Sequence, residues 1–362
     1  MVDSGSSRAR IRASGILILI LAGWGSSPVA AGEIEVYGRA HLALNYLDDG
    51  DDYSAVSISS NSSRIGVLGS HPFTDHLEGV VQFEGAVDLD ATDSDFSFSS
   101  RNAFAGFRGD WGLVRAGRFD TPLKRLQNAV SVFRDRVGDS RNVARNQLPV
   151  GPDDDGPRIG FDSRFDNAIG YTSPATLPVV FNIAYSTDTQ EQTAVDSNKN
   201  DAVSASLAYD IGLVYAAIAH ERWNFGDPDF RERHATRLAA YHQWSRLRVN
   251  LFTQFASRPD DRVYGVSARY NLQPDVAVMT KYYFLDGDDS ENSGLFALGA
   301  EYDVHAQLRV YTAYAQVNNS GDQQLVPWAQ GTSLAASDGP DGEISATGER
   351  PWALAVGAIY TF

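Results

Sequence analysis

The sequence predicts an all-β protein, a transmembrane antiparallel β-barrel of sixteen strands. Three observations predict it. Apolar and polar side chains alternate with period two along most of the chain, so that each strand has one apolar and one polar face. Connections alternate between tight turns and long acidic loops, the pattern of a barrel with short turns on one rim and long loops on the other. The chain then ends on an alternating strand, Trp352, Leu354, Val356, Ala358, Tyr360 and Phe362, with nothing after the terminal aromatic.

Composition narrows the class further. The 362 residues include no Cys, which removes disulfides, thiolate zinc sites and cysteine nucleophiles. A mean hydropathy of −0.27 and the lack of a run of about 18 apolar residues exclude a multi-helix membrane protein. Thirty-two Gly, 16 Tyr and 18 Phe against 2 Met suit many short strands and turns. The formal charge is −16, and an acidic chain argues against nucleic acid as a partner.

The first residues read as a processing signal. Arg8, Arg10 and Arg12 form a basic segment, Gly15 to Trp24 a short apolar one, and Pro28-Val29-Ala30-Ala31 a small-residue cleavage site. Cleavage after Ala31 is expected, making 1–31 a signal peptide and 32–362 the exported barrel, with a charge of −18.

From Glu33 onward Ile34, Val36, Ala40, Leu42 and Leu44 fall on one face and Glu35, Tyr37, Arg39, His41 and Asn45 on the other. Leu77, Val81 and Phe83 oppose Glu78, Gln82 and Glu84; Val179, Phe181, Ile183 and Tyr185 oppose Asn182 and Ser186. Leu247, Val249, Leu251 and Phe255 oppose Arg248, Asn250 and Gln254, and Phe296, Leu298, Ala300 and Tyr302 oppose Glu301. Tight turns are expected at His71 to Asp75, Gly109-Asp110, Pro174 to Pro178, Asp210 to Gly212, Trp244 to Arg246, Asn271 to Asp275 and Asp303 to Ala306. Long loops are expected at Asp48 to Tyr53, Asp88 to Asp95, Thr187 to Asn200, Asn224 to His234, Asp286 to Gly294 and Asn318 to Arg350. The sixteen strands start near 33, 55, 76, 97, 111, 162, 178, 201, 213, 235, 247, 261, 276, 294, 307 and 351, the second and fifteenth with mixed faces.

A soluble sandwich gives the same alternation with its apolar face inward. Aromatics at strand ends (Tyr171, Tyr185, Tyr209, Tyr270, Tyr282, Tyr302), mid-strand charges (Glu78, Glu84, Arg101, Arg248) and the terminal strand favour the membrane barrel. Small groups read as outward on the first strands, Ala40, Gly79, Gly85 and Gly106, would let neighbouring barrel walls approach closely.

Five segments carry a family resemblance: "EVYGRA" (35–40), "SSRIGVLGS" (62–70), "RNAFAGFRGDWGLVRAGRFDTPLK" (101–124), "SRFDNAIGYTSP" (163–174) and "VGAIYTF" (356–362). Through them the chain resembles the trimeric general porins of Gram-negative outer membranes, of enterobacterial and neisserial type. The resemblance implies a homotrimer in outer-membrane lipid and lipopolysaccharide and a water-filled channel for small hydrophilic solutes and ions, with no cofactor. It also implies a terminal assembly signal, Tyr360 and Phe362, read by the barrel-assembly machinery.

In that family the third extracellular loop folds into the lumen; here it runs from about Asp120 to Phe161. A basic ladder on the facing wall falls by motif on Arg39, Arg64, Arg101 and Arg164. Alternation also places Arg39 on the polar face, and Arg164 with Asp166 and Thr172 away from Phe165, Ile169 and Tyr171. Asp135 and Asp139 are the candidate loop carboxylates, but residues 120–161 hold six Asp against seven basic residues, a balance of +1 that departs from the family's acidic pattern. The ladder therefore points to a weak anion preference.

Enzyme readings are poor, because the seven His are scattered without a nucleophile and an orienting group. His71 and His76 flank an expected turn and read as solvated, and "GPDDDGP" (151–157) lacks the alternating ligands and terminal Glu of a calcium loop, so no metal is expected. The function expected is an outer-membrane diffusion porin. The alternatives are a substrate-specific channel for organic acids or phosphate, and a plugged adhesin or structural barrel.

Overall fold

The computed structural model describes residues 32–90, 98–146, 148–149, 158–189, 201–224, 232–257, 259–287, 291–334 and 348–362. The expected signal peptide, 1–31, and the 151–157 segment lie outside them. In chain order the elements are β1 (Glu33–Asp48), β2 (Ser54–Ser60), β3 (Arg64–Thr74), β4 (Leu77–Ala86), β5 (Ala103–Gly109), β6 (Gly112–Asp120), α1 (Pro122–Val130), α2 (Arg141–Ala144), β7 (Leu148–Pro149), β8 (Arg158–Ile159) and β9 (Arg164–Thr172). There follow β10 (Val179–Ser186), β11 (Ala202–Asp210), β12 (Val214–Trp223), β13 (Arg233–Gln243), β14 (Leu247–Ala256), β15 (Arg262–Asn271), β16 (Val276–Asp286), β17 (Ser293–His305), β18 (Leu308–Asn319) and β19 (Trp352–Thr361).

Each barrel strand pairs antiparallel with its chain neighbour, β6 passing directly to β9, and β19 closes on β1 with Ala40 opposite Tyr360. β2 lies against Leu42–Asp48 and β3 against Glu33–Arg39, so the two form one stave, and the seventeen strands of the sheet make sixteen staves. Closure satisfies the backbone polar groups of every strand without an open edge, the condition for crossing a lipid bilayer with sheet. β7 and β8 form a separate two-residue ladder within the long segment between β6 and β9.

Fifteen of the sixteen expected starts fall within two residues of an observed strand. The exception is the fourth, expected near 97, whereas β5 begins at Ala103, where pairing with Phe83 starts. Arg101 therefore precedes its strand, although its N–H still donates to the Glu84 carbonyl at 3.1 Å. The expected turn His71 to Asp75 is also mostly strand: β3 continues through Pro72 to Thr74 with a shift of register there, a place where a proline without an N–H is tolerated.

The apolar face points outward. Leu42, Leu44 and Tyr46 are exposed on β1 while His41, Ala43, Asn45 and Leu47 are buried, and Tyr185, Tyr209, Tyr270, Tyr282 and Tyr302 are all exposed on the outer surface. Gly106 departs from its expected outward position: it sits opposite Val80, between Ala105 and Phe107, which pair with the outward Val81 and Gly79.

The mixed faces of the second and fifteenth strands have physical causes. Between the pairs Leu42–Ser60 and Arg39–Arg64, β1 advances three residues and the other stave four, so one extra residue is inserted around Ser62, whose φ is +53°. That bulge inverts the alternation. On β18 the inner side is apolar because Ala313, Ala315 and Val317 are covered by protein rather than water. What covers them is the segment after β6. Phe133 packs where a Cβ on Gly299 would lie, and Gly138, with φ +81°, would place a Cβ 2.8 Å from the Ala297 Cβ and 3.0 Å from the Ala315 Cβ, so only glycine fits.

Candidate pore constriction

The segment between β6 and β9 is built to stay in place. Thr121 caps α1, its hydroxyl accepting from the Lys124 N–H at 3.2 Å, and Pro122 supplies the fixed φ of a first helical turn. Leu123, Leu126 and Val130 then fall on one face and are buried against β11 to β14, each such side chain contributing about 1.5–3 kcal/mol of burial.

Arg237, on β13, was not singled out from the sequence and holds this segment at three points. It pairs with Asp162 at 2.5 and 2.7 Å, and donates to the carbonyls of Leu123 at 3.4 Å and Ala144 at 3.2 Å. Its Nε donates to Gln254 at 2.6 Å, so a fully buried guanidinium is satisfied on every side. The only sequence signal was an arginine on the inner face of a strand.

A second loop reaches the same place. Residues 320–334 were expected in a long outer loop, yet Val326, Trp328 and Leu334 are buried, and the Gly138 N–H donates to the Pro327 carbonyl at 2.6 Å. Asn142 bonds both the Pro327 carbonyl at 3.0 Å and the Gln330 N–H at 2.8 Å. Alternation carries no information about such loop-on-loop contacts.

The four expected arginines all meet carboxylates. Arg39 reaches Asp135 at 2.8 Å; Arg64 and Arg101 converge on Glu84 at 3.4 and 2.5 Å; Arg164 reaches Asp120 at 3.2 Å. Arg64 faces inward only because of the bulge at Ser62. Without it even-numbered residues such as Val56 and Ile58 would keep the outer face, and Arg64 would share it. Arg164 sits beyond a comparable slip between β6 and β9, so the simple alternation expected there fails: Phe165 is buried against Trp223, while Ile169 is exposed.

Of the two candidate loop carboxylates, Asp135 bonds Arg39 and, at 2.7 Å, Arg141, and takes the Ser62 hydroxyl at 3.2 Å. Burial alone would raise its pKa, but Arg141, Arg39 and Arg134 outweigh it and hold the carboxyl well below the usual carboxylate range. Asp139 is turned into the loop, accepting from the Asp135 N–H at 2.7 Å and from Arg141 at 2.7 and 3.1 Å, and so braces the loop. Burial lowers Lys124 to about 8, against the opposing pull of Asp120 at 2.8 Å.

Two polar cavities flank this segment. One of about 480 Å³ lies toward the long loops and includes Arg101, Arg164, Lys124, Asp120 and Asp166 in its lining. The other, of about 440 Å³, lies toward the short turns. Asn128 and Arg134 line both. The expected ladder is thus divided, Arg39 and Arg64 lining the second cavity and Arg101 and Arg164 the first. The second cavity is lined by seven arginines and, among the described residues, one carboxylate, Glu301.

At the chain end, Tyr360 and Phe362 are exposed on the outer belt with their rings 5.8 Å apart. The Gly38 N–H donates to the Phe362 carbonyl at 3.0 Å and the Phe362 N–H to the Gly38 carbonyl at 3.2 Å, and the Phe362 ring occupies the space a Cβ on Gly38 would need. His76 lies beside Asp110 in solvent, and no metal-holding cluster occurs among the described residues.

A closed sixteen-stave barrel with an apolar outer belt and a charged interior defines a transmembrane channel. A family model described as Gram-negative porin matches residues 17–322, and the chain belongs to that family, which makes it an outer-membrane channel rather than an enzyme. It is 25% identical over 307 residues to outer membrane protein U of Vibrio parahaemolyticus, covering 80% of this chain and 83% of that one. Among solved structures it resembles an anion-selective porin from Comamonas acidovorans, with a TM-score of 0.78 at 18% identity over 92% of this chain and all of that one. It also resembles a trimer form of OmpT from Vibrio cholerae, with a TM-score of 0.61 at 16% identity over 92% of this chain and all of that one.

Proposed function

We propose that this porin is a trimeric diffusion channel with a weak anion preference, narrowed by its third loop, about Asp120 to Phe161, whose described residues 121–146 fold into its lumen. The observation that carries the preference is the cavity on the short-turn side, where seven lining arginines outnumber the four carboxylates they pair with, Asp135, Glu84, Glu301 and Asp303. Fixed positive charge in a narrow passage enriches anions locally, whereas charges on the outer loops act at the mouth and are screened beyond about 8 Å. The anion-selective character of the Comamonas protein supports the same sign.

Residues 1–31 act in this reading as a cleaved export signal, and Tyr360 and Phe362 as the feature read by the assembly machinery. Trimers form in outer-membrane lipid and lipopolysaccharide through walls that carry Ala40, Gly79 and Gly85 outward, as the trimeric OmpT supports. A planar-bilayer recording in a tenfold KCl gradient tests the preference: the zero-current potential should have the sign of chloride permeation, and a cation-selective potential refutes it. Crosslinking in mild detergent should give trimers, and a monomer band across several detergents refutes the assembly.

A further inference from the structure

We infer that His41 is a positioning residue of the channel, a neutral imidazole anchored by Tyr311 that holds Arg39 against Asp135 instead of letting it extend into the passage. The inference rests on the reading that Arg39 borders the ion path, and adds to it a residue outside the four-arginine ladder.

Arg39 and His41 stand two residues apart on β1 and share its inner face. Arg39 Nη1 donates to Asp135 at 2.8 Å and Nη2 to His41 Nδ1 at 2.8 Å. A guanidinium has donors only, so Nδ1 offers its lone pair and the ring is neutral, with its proton on Nε2. Nε2 then donates to the Tyr311 hydroxyl at 2.8 Å, and the fully buried ring is satisfied at both nitrogens.

Tyr311 belongs to β18 and reaches β1 across the intervening β19. Gly357 on β19 makes that possible: it lies opposite Tyr311 on one side and Ala43 on the other, and a Cβ there would fall 2.5 Å from the Tyr311 hydroxyl. The Arg136 guanidinium, bonded to Glu301 at 3.0 Å, lies 4.3 Å from the centre of the Tyr311 ring and keeps it in place. The anchor of His41 is thus itself fixed by two further elements.

Arg39 lines the short-turn-side cavity and Asp135 the other, so their pair stands between the two. The Arg39 side chain is 12% exposed. Without the Nδ1 acceptor, Nη2 becomes a charged donor held away from water with nothing to bond, a loss that turning into the cavity repairs. Asp135 does not prevent that movement, because Arg141 at 2.7 Å and the Ser62 hydroxyl at 3.2 Å still satisfy the carboxylate. A released Arg39 brings positive charge and bulk into the passage.

The test reads the zero-current potential in a tenfold KCl gradient and the single-channel conductance of the intact porin. His41→Gln, whose amide reaches the Nε2 position and leaves the Nδ1 position empty, should raise the chloride-to-potassium permeability ratio at least twofold and lower the conductance. His41→Asn, whose side-chain oxygen takes the Nδ1 position, should shift the ratio by less than half as much. Arg39→Gln should move the ratio toward potassium, and adding His41→Gln to it should change nothing further, because His41 acts only through that guanidinium. Tyr311→Phe keeps the ring under Arg136 and removes the acceptor of Nε2; it should shift the ratio in the same direction as His41→Gln, and it carries the test if the His41 variants fail to insert. Equal shifts in the Gln and Asn variants, a shift toward potassium in His41→Gln, or an effect of His41→Gln that persists without Arg39 overturns the positioning role. A wild-type potential in Arg39→Gln refutes instead the reading that Arg39 borders the ion path, and the inference with it.

Discussion

Replacing Arg64 and Arg101 together by Ser should move the channel toward cations by an amount the local geometry sets. Arg39, Arg64, Arg101 and Arg164 face Asp135, Glu84 and Asp120, a balance of +1. Because Arg64 and Arg101 share one partner, removing both leaves Glu84 with the Tyr37 hydroxyl at 2.8 Å and turns the balance to −1. At about 8 Å through water each charge acts on a passing ion with about 0.5 kcal/mol, so two charges give about 1 kcal/mol. Because it is added for an anion and subtracted for a cation, the anion-to-cation permeability ratio changes by about 2 kcal/mol, which is about thirtyfold. Adding Glu84→Gln brings the balance to zero and should halve the energy, leaving a shift of about fivefold. The assay is the zero-current potential in a tenfold KCl gradient, with single-channel conductance, which should rise slightly as two long side chains leave, read in the same record. An unchanged potential in the double variant would place these arginines away from the ion path, and a triple variant shifted as far as the double would show that Glu84 does not carry the charge assigned to it.

Three further outcomes follow from the packing. Arg237→Leu strands the buried Asp162 and should cost about 3–5 kcal/mol, seen as a lower thermal midpoint and noisier single-channel current, with much of the loss recovered by adding Asp162→Asn; no recovery would mean that the ion pair is not what holds the loop. Deleting Phe362, or replacing Gly38 by Val under its ring, should slow formation of heat-resistant oligomer while export continues, and wild-type amounts at high expression would refute this role for the terminus. The folded-state pKa of Asp135 is depressed, so its stabilising contribution is present above the ordinary carboxylate pKa of about 3.9 and is lost only as pH falls through the lower folded value. Single-channel noise should therefore stay constant from pH 7 to about pH 4, with Asp135→Asn showing at pH 7 the noise that wild type shows only in stronger acid; onset of wild-type noise at pH 5–6 would contradict this.

The barrel was legible in the sequence wherever one face is apolar toward lipid and the other carries polar groups, because a period of two then repeats, as in β14 with Leu247, Val249 and Leu251 outward and Arg248, Asn250 and Gln254 inward. It was least legible where the inner wall is covered by protein. Ala313, Ala315 and Val317 lie under Gly138 and Phe133, so polarity no longer distinguishes the faces of β18. A single extra residue at Ser62 or a slip beside Phe165 changes which side chain points inward, and backbone φ values are not written in hydropathy. Motif position located Arg39, Arg64, Arg101 and Arg164, but motif position is one-dimensional. It did not reveal that Glu84 serves two of them, that they line two cavities, or that Arg237 and residues 320–334 secure the loop.

The pairing of β1 with β19 joins residues about 320 positions apart, Ala40 with Tyr360. Every other stave finds its partner next along the chain, so most of the wall is available as local hairpins, whereas this seam closes the longest loop and carries the largest single closure cost. A chain that lacks β19 keeps two exposed edges, each a template for pairing with another molecule. A wall without its final strand therefore differs from a closed one by the open edges it presents, and only the closed wall is inert toward its neighbours.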